Sequence, residues 1–239
     1  MSGCFRRFMR YLFRERWVRN ALVMALHDER LAVAAAELHG RKRLLDIGCG
    51  VMPHRPMFEQ YVEQYVGLDV PDTEYDASGV DLFGSATDIP AEDGSFDVVL
   101  STSNLEHVEE PAAALREWAR VLEPGGVAIV SVPMFWHLHD QPRDFYRYTR
   151  FGLEYLLEQA GFEIDRLESV GTFWTVAATM ASYHAFKYHR GPLRWFRLIH
   201  LLAGVFQLAG YVMEKVDRSE KWACLYLVVA RKAERPEEA

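Results

Sequence analysis

Cysteine is scarce in this 239-residue chain: Cys4, Cys49 and Cys224 are odd in number and show no C-x-x-C spacing. That argues against a disulfide framework or a cysteine zinc site, and makes a reducing compartment the expectation. A basic excess is also missing. Lys and Arg number 27 against 34 Asp and Glu, a net charge of −7, which argues against a general nucleic-acid binder. Long apolar runs are absent too. The richest, Leu198 to Met213, is interrupted by His200 and Gln207 and falls short of the ~20 residues that span a bilayer. The N-terminal arginines are interspersed with aromatics and no small-residue cleavage site follows, so no secretory signal is expected. Met1-Ser2-Gly3 does not present the glycine needed for myristoylation. No internal repeat or low-complexity tract is visible. A cytoplasmic chain with one substantial core fits this composition.

What is present is an alternation of short apolar runs and amphipathic stretches from Lys42 onward, the pattern of a parallel sheet with helical crossovers. Strands are expected near 43–47, 65–69, 96–101, 126–132, 162–170 and 223–230. Helices are expected near 55–62, 111–122 and 150–160. Pro111 suits a first helical turn, Thr149 an N-cap and Gly161 a C-terminal stop. Residues 5–38 read as helical. Phe5, Phe8, Met9, Leu12, Phe13 and Trp17 recur at helical spacing, with Arg6, Arg7, Arg10, Arg14 and Arg19 around them.

The most informative stretch is Leu44-Leu45-Asp46-Ile47-Gly48-Cys49-Gly50, followed by Tyr65-Val66-Gly67-Leu68-Asp69. A buried strand enters a glycine turn where a backbone can approach a ligand, and a second strand ends on an acid suited to ribose hydroxyls. A dinucleotide fingerprint would need a third glycine where Pro53 stands. Asp46 before the turn suits a cationic ligand better than a phosphate. These motifs, with Gly84–Pro90, Asp93–Ser101, Asn104–Val108 and Leu122–Gly126, resemble the class I S-adenosylmethionine-dependent methyltransferases over roughly residues 42–170.

The resemblance implies an α/β, Rossmann-like seven-stranded sheet, mostly parallel with an antiparallel last strand. The expected organisation is an N-terminal helical cap (1–40), an S-adenosylmethionine-binding core (41–171), a helical insertion before the last strand (172–219), and the last strand with its tail (220–239), one domain overall. The insertion is read as two helices broken at Gly191-Pro192. The donor site implied is Asp46, Gly48, Gly50, Asp69, Ser85, Ala86, Asp88, Ile89 and Ser101. Ser85 replaces the family's usual acid beside the adenine, and Asp88 is the candidate to compensate.

On the acceptor side, His107, His139 and His137 are the candidate catalytic groups, and Trp136, Tyr146, Tyr148 and Arg143 the candidate substrate contacts. Most of these lie in 133–149, expected to roof the acceptor pocket as a lid. No metal is expected, because His137-x-His139-Asp140 lacks a spaced carboxylate set. The expected reaction is methyl transfer from S-adenosylmethionine, preferably to oxygen of a small-molecule, sugar or lipid-linked acceptor. An isoprenoid-quinone-type phenol, and a catalytically silent S-adenosylmethionine-binding subunit, stay open. The basic-aromatic helices leave three further readings open: packing on the core, peripheral contact with an anionic membrane surface, and homodimerisation.

Overall fold

A computed structural model describes residues 3–14, 17–72, 76–189, 198–217 and 219–234. The chain forms α1 (Gly3–Leu12), α2 (Ala21–Ala36), β1 (Arg41–Ile47), α3 (Arg55–Phe58), β2 (Val62–Asp69), β3 (Leu82–Phe83) and β4 (Phe96–Thr102). It continues through α4 (Pro111–Val121), β5 (Leu122–Pro133), α5 (Arg150–Gln159), β6 (Phe162–Val170), α6 (Phe173–Phe186), α7 (Leu198–Glu214) and β7 (Leu225–Lys232). The strands make one seven-stranded sheet in the order β3-β2-β1-β4-β5-β7-β6.

Strands β1, β2, β3, β4 and β5 pair in parallel. The last pairings run the other way. Cys224 N donates to Val170 O at 3.2 Å and Ala233 N to Gly161 O at 2.9 Å, so residue numbers rise on β7 as they fall on β6. β7 is buried over its first six residues, as its continuous apolar run requires of an interior strand.

The order reverses between β1 and β4. In open α/β sheets the carboxyl ends of the strands at such a switch point form the ligand crevice. Leu44, Leu45, Val98, Val99, Leu100 and Ile129 of these strands are fully buried, as is Trp118 of α4. Thr149 accepts a hydrogen bond from Gly152 N at 3.2 Å and so caps α5. Pro111 occupies the first turn of α4.

The chain divides into two compact units. One contains residues 1–31, 134–137 and 169–225; the other contains 32–133, 138–168 and 226–239. The expected cap up to residue 31 and the expected insertion fall in one unit and residues 32–40 of the cap in the other, while residues 134–137 belong with the insertion rather than with the rest of the expected lid. In that first unit Phe8, Ala21, Leu22, Ala25 and Tyr211 form a buried cluster. Phe8 stacks on Tyr211 at 4.7 Å. Among the described residues, the expected insertion contains the helices α6 and α7. Gly191-Pro192, with Arg190, Arg194, Trp195, Phe196 and Arg197, lies outside the described residues.

Candidate active site

Strand β1 ends in a turn with φ +73° at Gly48 and +51° at Gly50. A Cβ at Gly48 would come within 2.3 Å of Asn104 Cγ, so glycine is needed there both for the backbone and for the neighbour. The turn is tied to β2: Gly48 N and Cys49 N both donate to Leu68 O, at 2.9 and 3.1 Å. At the end of β2, Asp69 accepts from Gly50 N at 2.7 Å and from Val70 N at 2.7 Å. These two bonds fix the carboxylate and leave lone pairs for further donors.

Gly48, Asp69, Ser85, Ala86, His107 and Arg143 line one open cleft of about 540 Å³. Asn104, Asp72 and Phe145 line it as well. The cleft lies over the switch point, with the β1 turn, the acid of β2 and the loop after β4 in its wall. Its backbone cradle at Gly48, filled by any Cβ, and its fixed acid fit a nucleoside with free ribose hydroxyls.

Asp46, Gly50, Asp88, Ile89 and Ser101, also expected at the donor site, are not among the residues that line the cleft. Asp46 is buried in β1 and accepts a hydrogen bond from Tyr65 Oη at 2.5 Å. Burial pushes its carboxyl up to about 7, against the Tyr65 bond that lowers it, with the Asp69 charge adding to the rise. Ser101 is buried, and its Oγ donates to Ile47 O at 3.2 Å. This bond joins β4 to the β1 turn. Ile89 is buried and its N–H donates to Glu117 Oε1 at 2.8 Å. Asp88 is exposed and forms an antiparallel bridge with Ser85. Ser85 Oγ lies 2.8 Å from Thr87 Oγ1.

The segment 138–148 runs against the loop 104–109. Phe145 N and Tyr146 N donate to Glu106 O, at 3.0 and 3.2 Å. Tyr146 Oη donates to Glu109 O at 2.9 Å, and Tyr148 Oη, buried, donates to Leu105 O at 2.9 Å. Arg143 reaches Asp72 at 3.1 Å. His107 Nδ1 lies 2.6 Å from Arg143 O, and the His107 and His139 rings meet at 4.7 Å.

Glu106 is fully buried beside them. Burial pushes its carboxyl up to about 8, and the charges of Asp144 and Asp140 add to the rise, opposed by its own backbone N–H and Arg147. Arg147 grips Asp144 through two bonds at 2.6 and 2.8 Å and holds its carboxyl well below the usual range. Burial and the neighbouring His107 lower the pKa of His139, which favours its neutral, proton-accepting form.

His137 and Trp136 sit in the other unit. His137 packs at 4.0 Å on Tyr183, and both residues, with Phe135, Thr179 and Met180, line a pocket of about 500 Å³. Sequence reading did not single out Asp144 and Arg147. Their i, i+3 opposite charges were the only available signal. Glu106 gave no sign of burial, since a charged residue is buried only rarely.

The family described as "Methyltransferase domain" matches residues 45–130. The chain is 31% identical over 142 residues to a Mycolicibacterium smegmatis protein named "probable S-adenosylmethionine-dependent methyltransferase", covering 54% of each. It is 30% identical over 151 residues to the ubiquinone biosynthesis O-methyltransferase of Marinobacter nauticus, covering 58% of each. The chain thus spans about half the length of these curated relatives. Among solved structures it is similar to the (4+2)-cyclase SpnF, with TM-score 0.59 and 26% identity over 87% of this chain and 82% of that one. The match over residues 45–130, with these relatives and this fold, supports a class I S-adenosylmethionine-dependent methyltransferase domain in the chain.

Proposed function

We propose that this chain transfers the methyl group of S-adenosylmethionine to an oxygen of a small acceptor, with a sugar or lipid-linked hydroxyl preferred. The observation that carries the reading is the double position of His107. It lines the cleft that holds Gly48 and Asp69, and it also joins the cluster of Glu106 and His139. Donor-binding and proton-accepting groups therefore share one wall. When bound, S-adenosylmethionine supplies an activated methyl on a sulfonium.

Asp69 would accept hydrogen bonds from the ribose hydroxyls, and the Gly48 turn would let the backbone come close. The acceptor O–H gives up its proton to the histidine cluster as the O–CH₃ bond forms. S-adenosylmethionine held there would give up its methyl group and keep the S–CH₃ electron pair on sulfur, so that S-adenosylhomocysteine would be the other product. Likeness to a ubiquinone-pathway O-methyltransferase supports oxygen as the acceptor atom and keeps an isoprenoid-quinone-type phenol as the alternative. The (4+2)-cyclase neighbour shows that a related fold hosts other chemistry.

The test is label transfer from methyl-labelled S-adenosylmethionine to panels of phenols, glycosides and lipid-linked sugars. His139→Ala is expected to keep donor affinity and to lose turnover by roughly 10²–10⁴-fold, the usual contribution of a proton acceptor. Donor binding with no label transfer to any panel would favour the silent subunit.

We also propose that the acceptor is met at a lipid surface. Leu198, Leu201, Leu202, Val205, Leu208 and Val212 are exposed along one face of α7, and Phe13 is exposed after α1. Arg6, Arg10 and Arg14 are exposed in the same unit. An apolar stripe with nearby arginines is the make-up of an interfacial helix on anionic lipid. Among the described residues no helix is long and apolar enough to cross a membrane.

A further inference from the structure

Glu106 is buried completely, and neither of its side-chain oxygens has a hydrogen-bond partner among the described residues. A buried carboxylate without donors is costly, and native proteins satisfy such groups by some partner. What faces it is imidazole. His107 Nε2 lies 3.9 Å from Glu106 Oε1. One ligand atom from each of Glu106, His107 and His139 falls within 4.8 Å of the other two. Ligands bound at roughly 2.0–2.2 Å around one tetrahedral ion stand about 3.5 Å apart, so only a small inward movement separates this arrangement from coordination.

The surroundings orient the His107 ring as a metal ligand is oriented, and place an acid beside the His139 ring. His107 Nδ1 is 2.6 Å from the Arg143 carbonyl, to which it can only donate, and that leaves the lone pair on Nε2. His139 Nδ1 lies 3.3 Å from Asp144 Oδ2, and Arg147 holds that carboxylate in a fork. An outer carbonyl of this kind fixes tautomer and ring angle in metal sites, and on the second ring the Asp144 carboxylate stands within ion-pair distance.

We propose that Glu106, His107 and His139 bind one divalent first-row transition ion of the zinc type. Two imidazoles and one carboxylate suit Zn²⁺, Co²⁺ or Mn²⁺, whereas Mg²⁺ and Ca²⁺ favour all-oxygen ligand sets. Three protein ligands leave a position for a further oxygen, and His107 brings the site to the cleft wall. The role of the ion rests on the methyl-transfer reading: with both imidazoles on the ion, a hydroxyl held there would release its proton to solvent through the open cleft, in place of transfer to the histidines. Binding of the ion does not rest on that reading.

The experiment is calorimetric titration of the chelator-stripped chain with ZnCl₂, and with MgCl₂ as the comparison. The wild-type chain is expected to take one Zn²⁺ and no Mg²⁺ at this site. His107→Ala and His139→Ala are each expected to weaken Zn²⁺ binding more than a hundredfold, and Asp144→Asn by roughly 10–100-fold. His39→Ala, which removes an exposed histidine, is expected to change nothing. Zinc-edge X-ray absorption on the wild-type complex reads the ligands without a variant and is expected to show two imidazoles. No Zn²⁺ binding, binding that survives both histidine variants, or a spectrum without imidazole would overturn the proposal. Titrating S-adenosylmethionine into the same samples keeps the two readings apart: zinc bound without the nucleoside defeats the methyl-transfer reading alone, and the reverse defeats the metal site alone.

Discussion

Asp46 is a carboxyl group whose surroundings work against its charge. Its folded pKa is raised from an ordinary 3.8 to about 7, so the folded chain keeps a proton that the unfolded chain has released. Between those values the native state binds more protons, and stability must fall as pH rises. The loss is at most about 1.4 kcal/mol per pH unit for one proton. Thermal unfolding followed from pH 4 to 8 should therefore show a shallower decline in Asp46→Asn than in wild type, because the amide keeps the Tyr65 bond and has no proton to lose. Equal slopes would remove Asp46 as the cause.

Gly48 makes a second demand at this scale. An added methyl group would meet Asn104 at 2.3 Å on a backbone of φ +73°. Gly48→Ala should cost roughly 1–3 kcal/mol of stability, read as a lower denaturant midpoint at unchanged slope. Asp69, Gly48 and Gly50 were legible in the sequence because a strand end, a glycine pair and an acid leave a fixed spacing. Glu106 was not. Burial of a charge depends on what folds over it, here the 138–148 segment, and no local pattern encodes that.

At the scale of elements, periodicity carried far. The strands expected at 162–170 and 96–101 are β6 (Phe162–Val170) and β4 (Phe96–Thr102). Helix ends followed from caps, with Thr149 before α5 and Pro111 opening α4. Removing the α5 cap by Thr149→Ala should cost about 1 kcal/mol, seen as a drop in Tm, while Thr149→Ser should keep most of it. A strand of two residues, β3, has no alternation to read and was not foreseen. The run 133–149 reads as one lid because its aromatics and histidines are continuous. Its first part, 134–137, instead joins the helices of the other unit, where His137 packs on Tyr183. Which partner an aromatic run chooses is a tertiary matter, and helices distant in sequence supply the answer.

For the whole molecule, one unit carries the glycine turn, the cleft and the histidine cluster, and the other carries the exposed apolar stripe and exposed arginines. Vesicles containing anionic lipid should sediment the chain in a salt-sensitive manner, and neutral vesicles should not. Replacing Leu201 and Val205 with Asn should abolish the difference. Negligible pelleting with both vesicle types, together with a dimer in solution, would assign the stripe to a second copy of the chain.

The methyltransferase reading turns on the cleft between Gly48 and Asp69. Calorimetry of S-adenosylmethionine binding to wild type and Asp69→Ala tests it most directly. A charge-assisted hydrogen bond contributes ~1.5–3 kcal/mol, so one-to-one binding to wild type should weaken roughly tenfold to a hundredfold in the variant. Absence of binding to wild type, or an affinity unchanged by Asp69→Ala in a folded variant, would contradict the assignment of this cleft as the donor site.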